Sequence, residues 1–277
     1  MSLQSEPALT PRDGYRKGAR VYSRTRRFAK GRCAGGAVLD GRDGRDGRDG
    51  RRGPEPGAGG QPMTYNETMA ASHVLDSVLS VADEALRTLF APAHAARSPA
   101  LPAEVNLGEV DRQHAAALMR VNHAGEVSAQ GLYHGQALLT RARSTRDFMQ
   151  RASREEGDHL AWCESRLREL DARPSRLNPF WYIGSFVLGA AAAALGDEVS
   201  LGFVTETERQ VEGHLASHLQ RLPEADHRSR RIVELMQIDE IAHARAATAA
   251  GAVELPAPIP TLMKYAAKVM TGTAYWI

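Results

Sequence analysis

The sequence predicts an all-α protein, a four-helix bundle made of two similar helical hairpins. No stretch of it has the pattern of a sheet, and two Glu-x-x-His motifs place their side chains on one helix face, since residues three apart share a face. A lone glutamate precedes each motif, by 30 positions in the first set and 32 in the second. The sets are offset by 82 to 84 positions, which indicates an internal repeat. They are Glu126, Glu156 and His159, and Glu208, Glu240 and His243.

The first three predicted helices follow from apolar spacing and from prolines. A helix over 66–90 is predicted from Val74, Val78, Ala82, Leu86 and Leu89, and a linker from Pro92 to Pro102 follows it. The next helix is expected over about 108–142. Ser144 or Thr145 is the predicted N-cap of a third helix that ends near Ala172.

The segment 177–196 contains 20 residues without a formal charge, which is near the length that spans a bilayer. Asn178 and Pro179 are predicted to cap and begin a helix there. Three alternatives stay open: a buried crossover helix, a helix in the membrane interface, and a true span. A span would place the two halves of the bundle on opposite sides of a membrane, whereas a bundle with one long connection needs a crossover at this point.

The remaining helices are predicted over 198–221, 225–250 and 261–272, with breaks at Pro223 and Gly251. The last one carries Lys264 and Lys268 and precedes the ending Tyr275-Trp276-Ile277. Basic residues beside apolar and aromatic ones suit an anchor in the membrane interface, and a helix docked on the bundle is the alternative.

The domain organisation is predicted from charge and composition. Residues 1–62 carry 14 Lys and Arg against 7 Asp and Glu and repeat Gly-Arg-Asp, so a disordered basic tail is expected there. A basic arm for nucleic acid or an anionic membrane, and a natural start at Met63, are the alternatives. Residues 63–104 are predicted to hold an amphipathic helix and a linker, and 105–277 the bundle. The folded part carries about −5, because the whole chain is +2.

The cysteine content excludes a disulfide framework and a thiolate metal site, since only Cys33 and Cys163 occur. A reducing compartment fits this. Cys163 is expected to be a small buried hydrophobe, with a redox role or a role beside the metal site as the alternative.

The six repeated residues predict a dinuclear metal site in the bundle core, because four carboxylates and two imidazoles converge there from four helices. Oxygen-rich donors favour iron or manganese over structural zinc. Two irons that share glutamates suit the reduction of O₂. Buried Glu–His ion pairs without metal are the alternative, and they would be costly.

Neighbouring residues are candidates for supporting roles. Asp158 and Asp239 could each orient a ligating histidine on the opposite helix, or they could be solvated surface acids. His123 and His214 could approach the site, although a lone histidine on a mixed face is more often not a ligand.

Several runs of this chain resemble the demethoxyubiquinone hydroxylases, over about 105–277. They are Arg120-Val-Asn-His-Ala-Gly-Glu126, Glu155-Glu-Gly-Asp-His-Leu-Ala-Trp162, Ser200-Leu-Gly-Phe-Val-Thr-Glu-Thr-Glu-Arg-Gln-Val211, Ile238-Asp-Glu-Ile-Ala-His243 and Lys268-Val-Met-Thr-Gly-Thr-Ala-Tyr-Trp-Ile277. The resemblance implies a ferritin-like di-iron monooxygenase that hydroxylates the ring of 2-polyprenyl-3-methyl-6-methoxy-1,4-benzoquinol with O₂.

The same resemblance assigns Glu126, Glu156 and His159 to one side of a pair of iron ions and the other three ligands to the second side, with bridging glutamates. Eukaryotic members carry His-Tyr where this chain has His214-Leu215. His214 therefore keeps a proton or electron role, and a tyrosine role does not transfer.

A polyprenyl substrate predicts a peripheral enzyme that meets the membrane through 177–196 and 261–277. The expected location is the cytoplasmic face of a bacterial cell membrane, with the mitochondrial inner membrane as the alternative. Electrons would come from a small molecule, the quinol or a reductase, because no nucleotide-binding glycine motif is present. Other proteins of ubiquinone biosynthesis are expected partners, and nucleic acid is not.

Two competing functions remain. A di-iron hydroxylase of a tRNA nucleoside would need a basic groove, which the negative charge of the folded part disfavours. An iron-storage protein would need a mostly polar surface, which the apolar run from Phe180 to Leu195 disfavours unless that helix is buried.

Overall fold

The computed structural model describes residues 65–277, without the side chains of 65–75 and Val78, and this part of the chain is all-helical. The predictions for 1–62 and for the side chains of Val74 and Val78 lie outside the described residues. The helices are α1 (Tyr65–Phe90), α2 (Glu109–Leu139), α3 (Arg143–Glu169), α4 (Asn178–Ala194), α5 (Asp197–Arg221), α6 (His227–Ala249) and α7 (Pro258–Ala274).

Helices α2, α3, α5 and α6 form the predicted four-helix bundle. The pairs α2–α3 and α5–α6 are hairpins, and α4 is the long crossover between them. All four helices contribute to one apolar core, and the side chains there include Leu118, Leu167, Leu215 and Ile232. Burial of an apolar stripe from each helix against the other three is what stabilises such a bundle.

Helix α4 lies against α2 at a distance that only glycine permits. A β-carbon on Gly131, Gly135 or Gly189 would come within 3.0 Å of a backbone carbonyl oxygen of the facing helix. The other face of α4 is open to solvent and exposes Phe180, Ile183, Val187 and Leu188. The prediction of a buried crossover therefore holds for one face only.

Within residues 65–277, no helix combines the length and the apolar character that crossing a bilayer requires. The alternative of a true span over 177–196 is thus wrong: α4 has 17 residues, and one of its faces is packed against protein.

The structure corrects several predicted helix ends. Neither Ser144 nor Thr145 caps α3, which begins at Arg143. Its N-cap is Ala142, which makes no side-chain cap hydrogen bond. The carboxylate of Asp197 accepts hydrogen bonds from the N–H groups of Arg141 and Ala142 in the turn before the helix, at 3.0 and 2.7 Å. Asn178 lies inside α4 rather than before it. Helix α7 begins three residues earlier than predicted because Pro258 and Pro260 fit its first turn.

Residues 91–108, here named the N-terminal strap, connect α1 to α2 without regular structure. The strap makes hydrogen bonds with side chains of α3 and α6, such as Asp158 and Arg228. It therefore lies along the outside of the helices that carry the two Glu-x-x-His motifs.

Candidate metal centre

The bundle brings all six predicted ligands into its interior, and no side chain among them is more than 9% exposed. Helix α2 supplies Glu126 and α5 supplies Glu208. The two motif helices supply the pairs Glu156 with His159 and Glu240 with His243. Every one of the four bundle helices therefore contributes at least one carboxylate.

Four of the six residues form a tight cluster, since ligand atoms of Glu126, Glu156, His159 and Glu240 all lie within 4.8 Å of one another. His243 joins them, with Nδ1 2.9 Å from Glu156 Oε1 and 3.5 Å from Glu240 Oε2. Glu208 lies beside Glu240, close enough for the two carboxyl groups to share a hydrogen bond.

Both histidines point the same ring atom inward. His159 Nδ1 lies 2.9 Å from Glu156 Oε2 and 3.4 Å from Glu240 Oε1. His243 likewise turns Nδ1 toward Glu156 and Glu240. The inner nitrogen of each ring is thus the one available to a metal, and the outer Nε2 is left for a supporting partner.

The polar atoms at the centre are poorly satisfied by protein alone. Glu156 Oε1, Glu240 Oε2 and His243 Nδ1 are buried without a well-aligned hydrogen bond. Buried polar atoms are normally paired, because leaving them unpaired costs free energy. Carboxylate and imidazole atoms that converge without partners fit a site for metal cations.

The raised pKa values in the cluster also indicate that its buried carboxylates have too little positive charge around them. Burial raises the pKa of Glu126 and of Glu208 well above the usual value, and neighbouring carboxylates raise it further. Burial lowers the pKa of His243, but the carboxylates of Glu156 and Glu240 outweigh this and raise it to about 12. Without metal, the cluster therefore retains protons that metal cations would replace.

Asp239 is the carboxylate beside His159, whose Nε2 lies 3.0 Å from Asp239 Oδ2. The Asp158 side chain does not take the corresponding place: it accepts hydrogen bonds from the strap, at the N–H of Ala96 and the guanidinium of Arg97. The expectation that Asp158 orients a histidine is therefore wrong.

Glu155, rather than Asp158, lies beside the outer nitrogen of His243. Its Oε2 lies 2.8 Å from His243 Nε2. Glu155 and Asp239 each come directly before the glutamate of a motif, so each helix supports the histidine of the other. The internal repeat carries this signal, because an acid stands at the same position in both copies.

Tyr133 is a residue of the site that sequence reasoning missed. Its hydroxyl donates to Glu208 Oε1 at 2.5 Å, and burial raises its pKa well above the usual value. Tyr133 lies seven residues after Glu126, which is about two helical turns, so both face the core. That spacing was the available signal.

The two histidines considered near the site lie outside the ligand cluster. His123 Nδ1 lies 3.2 Å from the Asn178 amide of α4, and burial lowers its pKa to about 4. His214 packs against His218 with ring centroids 4.0 Å apart, and its buried Nε2 has no hydrogen-bond partner. Burial also lowers the pKa of His214 to about 4.

A cleft of about 880 Å³ reaches the candidate metal centre. Its walls come chiefly from α2, α4, α5 and α7, and α3 and α6 contribute Glu156 and Glu240. Glu126, Glu208 and His214 also line it. Phe180 and Leu188 line it and are exposed to solvent, so the cleft connects the carboxylates with the surface beside α4.

The fold and the site define a class: helical-bundle proteins with a buried carboxylate and histidine centre. Residues 113–274 match the model of one family of this kind, the ubiquinone biosynthesis protein COQ7. The chain belongs to this family.

Curated relatives agree. The chain is 60% identical over 205 residues to the 3-demethoxyubiquinol 3-hydroxylase of Polaromonas naphthalenivorans, a match that covers 73% of this chain and 98% of the relative. It is 54% identical over 207 residues to the protein of the same name from Burkholderia ambifaria, which covers 74% of this chain and all of that relative.

Proposed function

We propose that this protein is a di-iron monooxygenase that hydroxylates the ring of 2-polyprenyl-3-methyl-6-methoxy-1,4-benzoquinol with O₂, a step of ubiquinone biosynthesis. The observation that carries the proposal is a chiefly apolar cleft that ends at four buried carboxylates, which cluster with two buried histidines. The relatives named as 3-demethoxyubiquinol 3-hydroxylases support the choice of substrate.

Six residues would hold the two iron ions. Glu126, Glu156 and His159 would bind one ion, and Glu208, Glu240 and His243 the other. Glu156 and Glu240 are the candidates for bridging, because the carboxylate of each lies within 3.5 Å of both histidines. When bound, a pair of iron ions supplies electrons to O₂.

Residues of the cleft would bind and orient the substrate ring. The ring would enter between α4, α5 and α7, where Phe180, Phe203 and Met270 line a chiefly apolar passage. Tyr133 fixes Glu208 from the opposite side through its hydroxyl. His214 lines the passage with an unpaired Nε2, which suits a hydrogen bond to an oxygen of the ring.

The membrane side of the proposal rests on the outer faces of α4 and α7. Phe180 and Ile183 are exposed on α4, and Tyr265 and Val269 are exposed on α7. Lys264, next to Tyr265, is also exposed and suits lipid phosphate. A peripheral enzyme whose cleft opens at this surface would draw the quinol from the bilayer, at the cytoplasmic face of a bacterial cell membrane.

The two competing functions gain less support. A tRNA substrate would need a basic surface around the cleft, whereas the lining is chiefly apolar with a few charged residues of both signs, such as Glu206 and Lys268. Iron storage would have no use for an apolar passage that leads from the surface to the carboxylates.

A turnover assay tests the proposal. Detergent-purified protein loaded with Fe²⁺ would receive a reductant, ¹⁸O₂ and a short-chain demethoxyubiquinol, and mass spectrometry would follow the quinone product. The expected result is a product with one ¹⁸O on the ring. Glu208→Gln should lose this activity, whereas Glu212→Gln, a half-buried glutamate one turn later, should keep it. Two bound irons without product would contradict the proposed substrate.

A further inference from the structure

The main chain of the N-terminal strap (residues 91–108) is fixed to α3 beside the candidate metal centre. The N–H groups of Ala96 and Arg97 donate to Asp158 Oδ1, at 2.5 and 3.3 Å. Trp162 Nε1 donates in return to the carbonyl oxygen of Arg97 at 2.8 Å. Three hydrogen bonds therefore place the backbone of Arg97 one helical turn from His159.

The side chain of Arg97 extends this attachment to the ligand histidine. Its Nη2 donates to Asp239 Oδ2 at 2.6 Å, and the same oxygen lies 3.0 Å from His159 Nε2. Its Nε donates to Asp158 Oδ2 at 3.1 Å, and the guanidinium lies 5.1 Å from the centroid of the Trp162 ring. A continuous chain of contacts thus runs from the strap through Asp239 to His159.

The other half of the centre has no such clamp. Glu155 supports His243 as Asp239 supports His159, but the Glu155 side chain is 57% exposed against 23% for Asp239. Within the described residues, no arginine or lysine pairs with Glu155, whereas Arg97 pairs with Asp239. The carboxylate beside His159 is therefore less exposed than the one beside His243, and in the described part of the chain only the former is paired with an arginine.

We propose that Arg97 is a positioning residue that locks Asp239, and through it His159, so that the two metal positions bind with unequal strength. The position that contains His159 is the tighter one. This inference rests on the proposed metal centre. Residues 113–274 match the family model, and Arg97 lies before them. This positioning residue is therefore supplied by the segment that precedes the matched domain.

Arg97 should affect metal binding because it controls the orientation of the His159 imidazole. A carboxylate that accepts from the outer nitrogen of a ligating histidine fixes the ring and its tautomer, and loss of such a partner costs 10- to 100-fold in metal affinity. Without Arg97, the Asp239 side chain would be more mobile and would form hydrogen bonds with water part of the time, instead of with His159. Arginine suits the role because its planar group can bind two carboxylates at once, which a lysine ammonium on a flexible stem does less well.

Titration of metal-free protein with Co²⁺ tests the inference, since the visible bands of Co²⁺ report ligand geometry without turnover. The parent should bind two equivalents in two steps. Arg97→Ala should weaken the tighter step about tenfold, alter its bands and leave the weaker step unchanged. Arg97→Lys should recover part of the loss. Combining Arg97→Ala with Asp239→Asn should bind no more weakly than Asp239→Asn alone, because Arg97 acts on His159 only through that carboxylate.

Arg228→Ala is the matched control for a loosened strap. Arg228 holds the other end of the strap through the carbonyl oxygen of Pro102 and the carboxylate of Glu104, and it makes no contact with Asp239. It should leave both Co²⁺ steps intact. Equal effects of Arg97→Ala and Arg228→Ala would overturn the positioning role, as would parental binding by Arg97→Ala. A parent that binds no Co²⁺ would overturn the metal centre itself.

Discussion

The two hairpins of the repeat present equivalent residues to different surroundings. Gly131 in α2 and Gly213 in α5 are 82 positions apart, like Glu126 and Glu208. A β-carbon on Gly131 would collide with the carbonyl oxygen of Tyr182 in α4, whereas one on Gly213 would meet nothing within 4 Å. Gly213 instead lines the cleft. The crossover helix packs chiefly against α2 of the first hairpin and leaves Gly213 of the second beside the cleft, through which we propose that the substrate enters.

The same offset relates Tyr133 to Leu215, with a different outcome. Tyr133 donates to Glu208 of the opposite hairpin, whereas Leu215 packs in the apolar core. Among the residues whose side chains the structure describes, Glu208 therefore has a tyrosine partner of this kind and Glu126 does not. The two copies of the repeat thus carry the same ligands, while the residues around the ligands differ between the hairpin that α4 covers and the other one.

Alanine substitution of the two glycines should give the largest difference between the halves. Gly131→Ala should lower the free energy of unfolding by about 3 kcal/mol, because a rigid backbone carbonyl occupies the space of the new methyl group. Gly213→Ala should be neutral or stabilise by up to about 1 kcal/mol, since alanine is the better helix former. Urea unfolding of both variants measures this, and equal losses would contradict the role assigned to α4.

The pH dependence of stability should be alike in the two halves, because Glu126 and Glu208 both have raised pKa values. A raised pKa means that the folded, metal-free protein binds protons which the unfolded chain releases above about pH 4.5 for a glutamate and 6.5 for a histidine. The stability that these groups contribute is therefore lost as pH rises, by about 1.4 kcal/mol per pH unit for each retained proton.

Thermal unfolding of the metal-free protein between pH 7 and 8.5 checks this sign, above the range in which the lowered pKa values of buried histidines such as His123 and His214 make stability rise with pH. The melting temperature should fall as pH rises, and added Fe²⁺ should stabilise more at pH 8.5 than at pH 7, because metal replaces the protons. Glu126→Gln and Glu208→Gln should each flatten the fall to a similar extent. A melting temperature that rises with pH in the metal-free protein would contradict the proposed electrostatics.

The smallest expected effect concerns which exposed helix face of the protein meets the membrane. Ile183 on α4 and Ile238 on α6 are exposed to nearly the same extent, 60% and 59%. Ile183→Ser should weaken binding to anionic vesicles roughly fivefold, because it removes apolar surface from the proposed membrane face. Ile238→Ser should leave binding unchanged. Co-sedimentation with vesicles measures both, and equal losses would mean that α4 is not the membrane face.

Much of the fold could be predicted from the sequence because its signals are local. The spacing of Glu156 and His159 requires a helix to place both on one face, and the matched copy at Glu240 and His243 requires a second one. Prolines and apolar periodicity indicated the helices to within a few residues, and the crossover followed from the bundle. The contact that holds the turn before α3 could not be predicted, because Asp197 reaches the N–H groups of Arg141 and Ala142 from α5.

The helices, the bundle and the six residues that meet in its core could be predicted from the chain alone, because i, i+3 spacing and apolar periodicity are local patterns within each helix. The packing of the helices and the strap was needed to show that Asp158 binds the strap and not a histidine, that Arg97 pairs with Asp239, and that α4 is buried on one face and exposed on the other. These features depend on which distant segments pack together, and no local pattern in the chain encodes that.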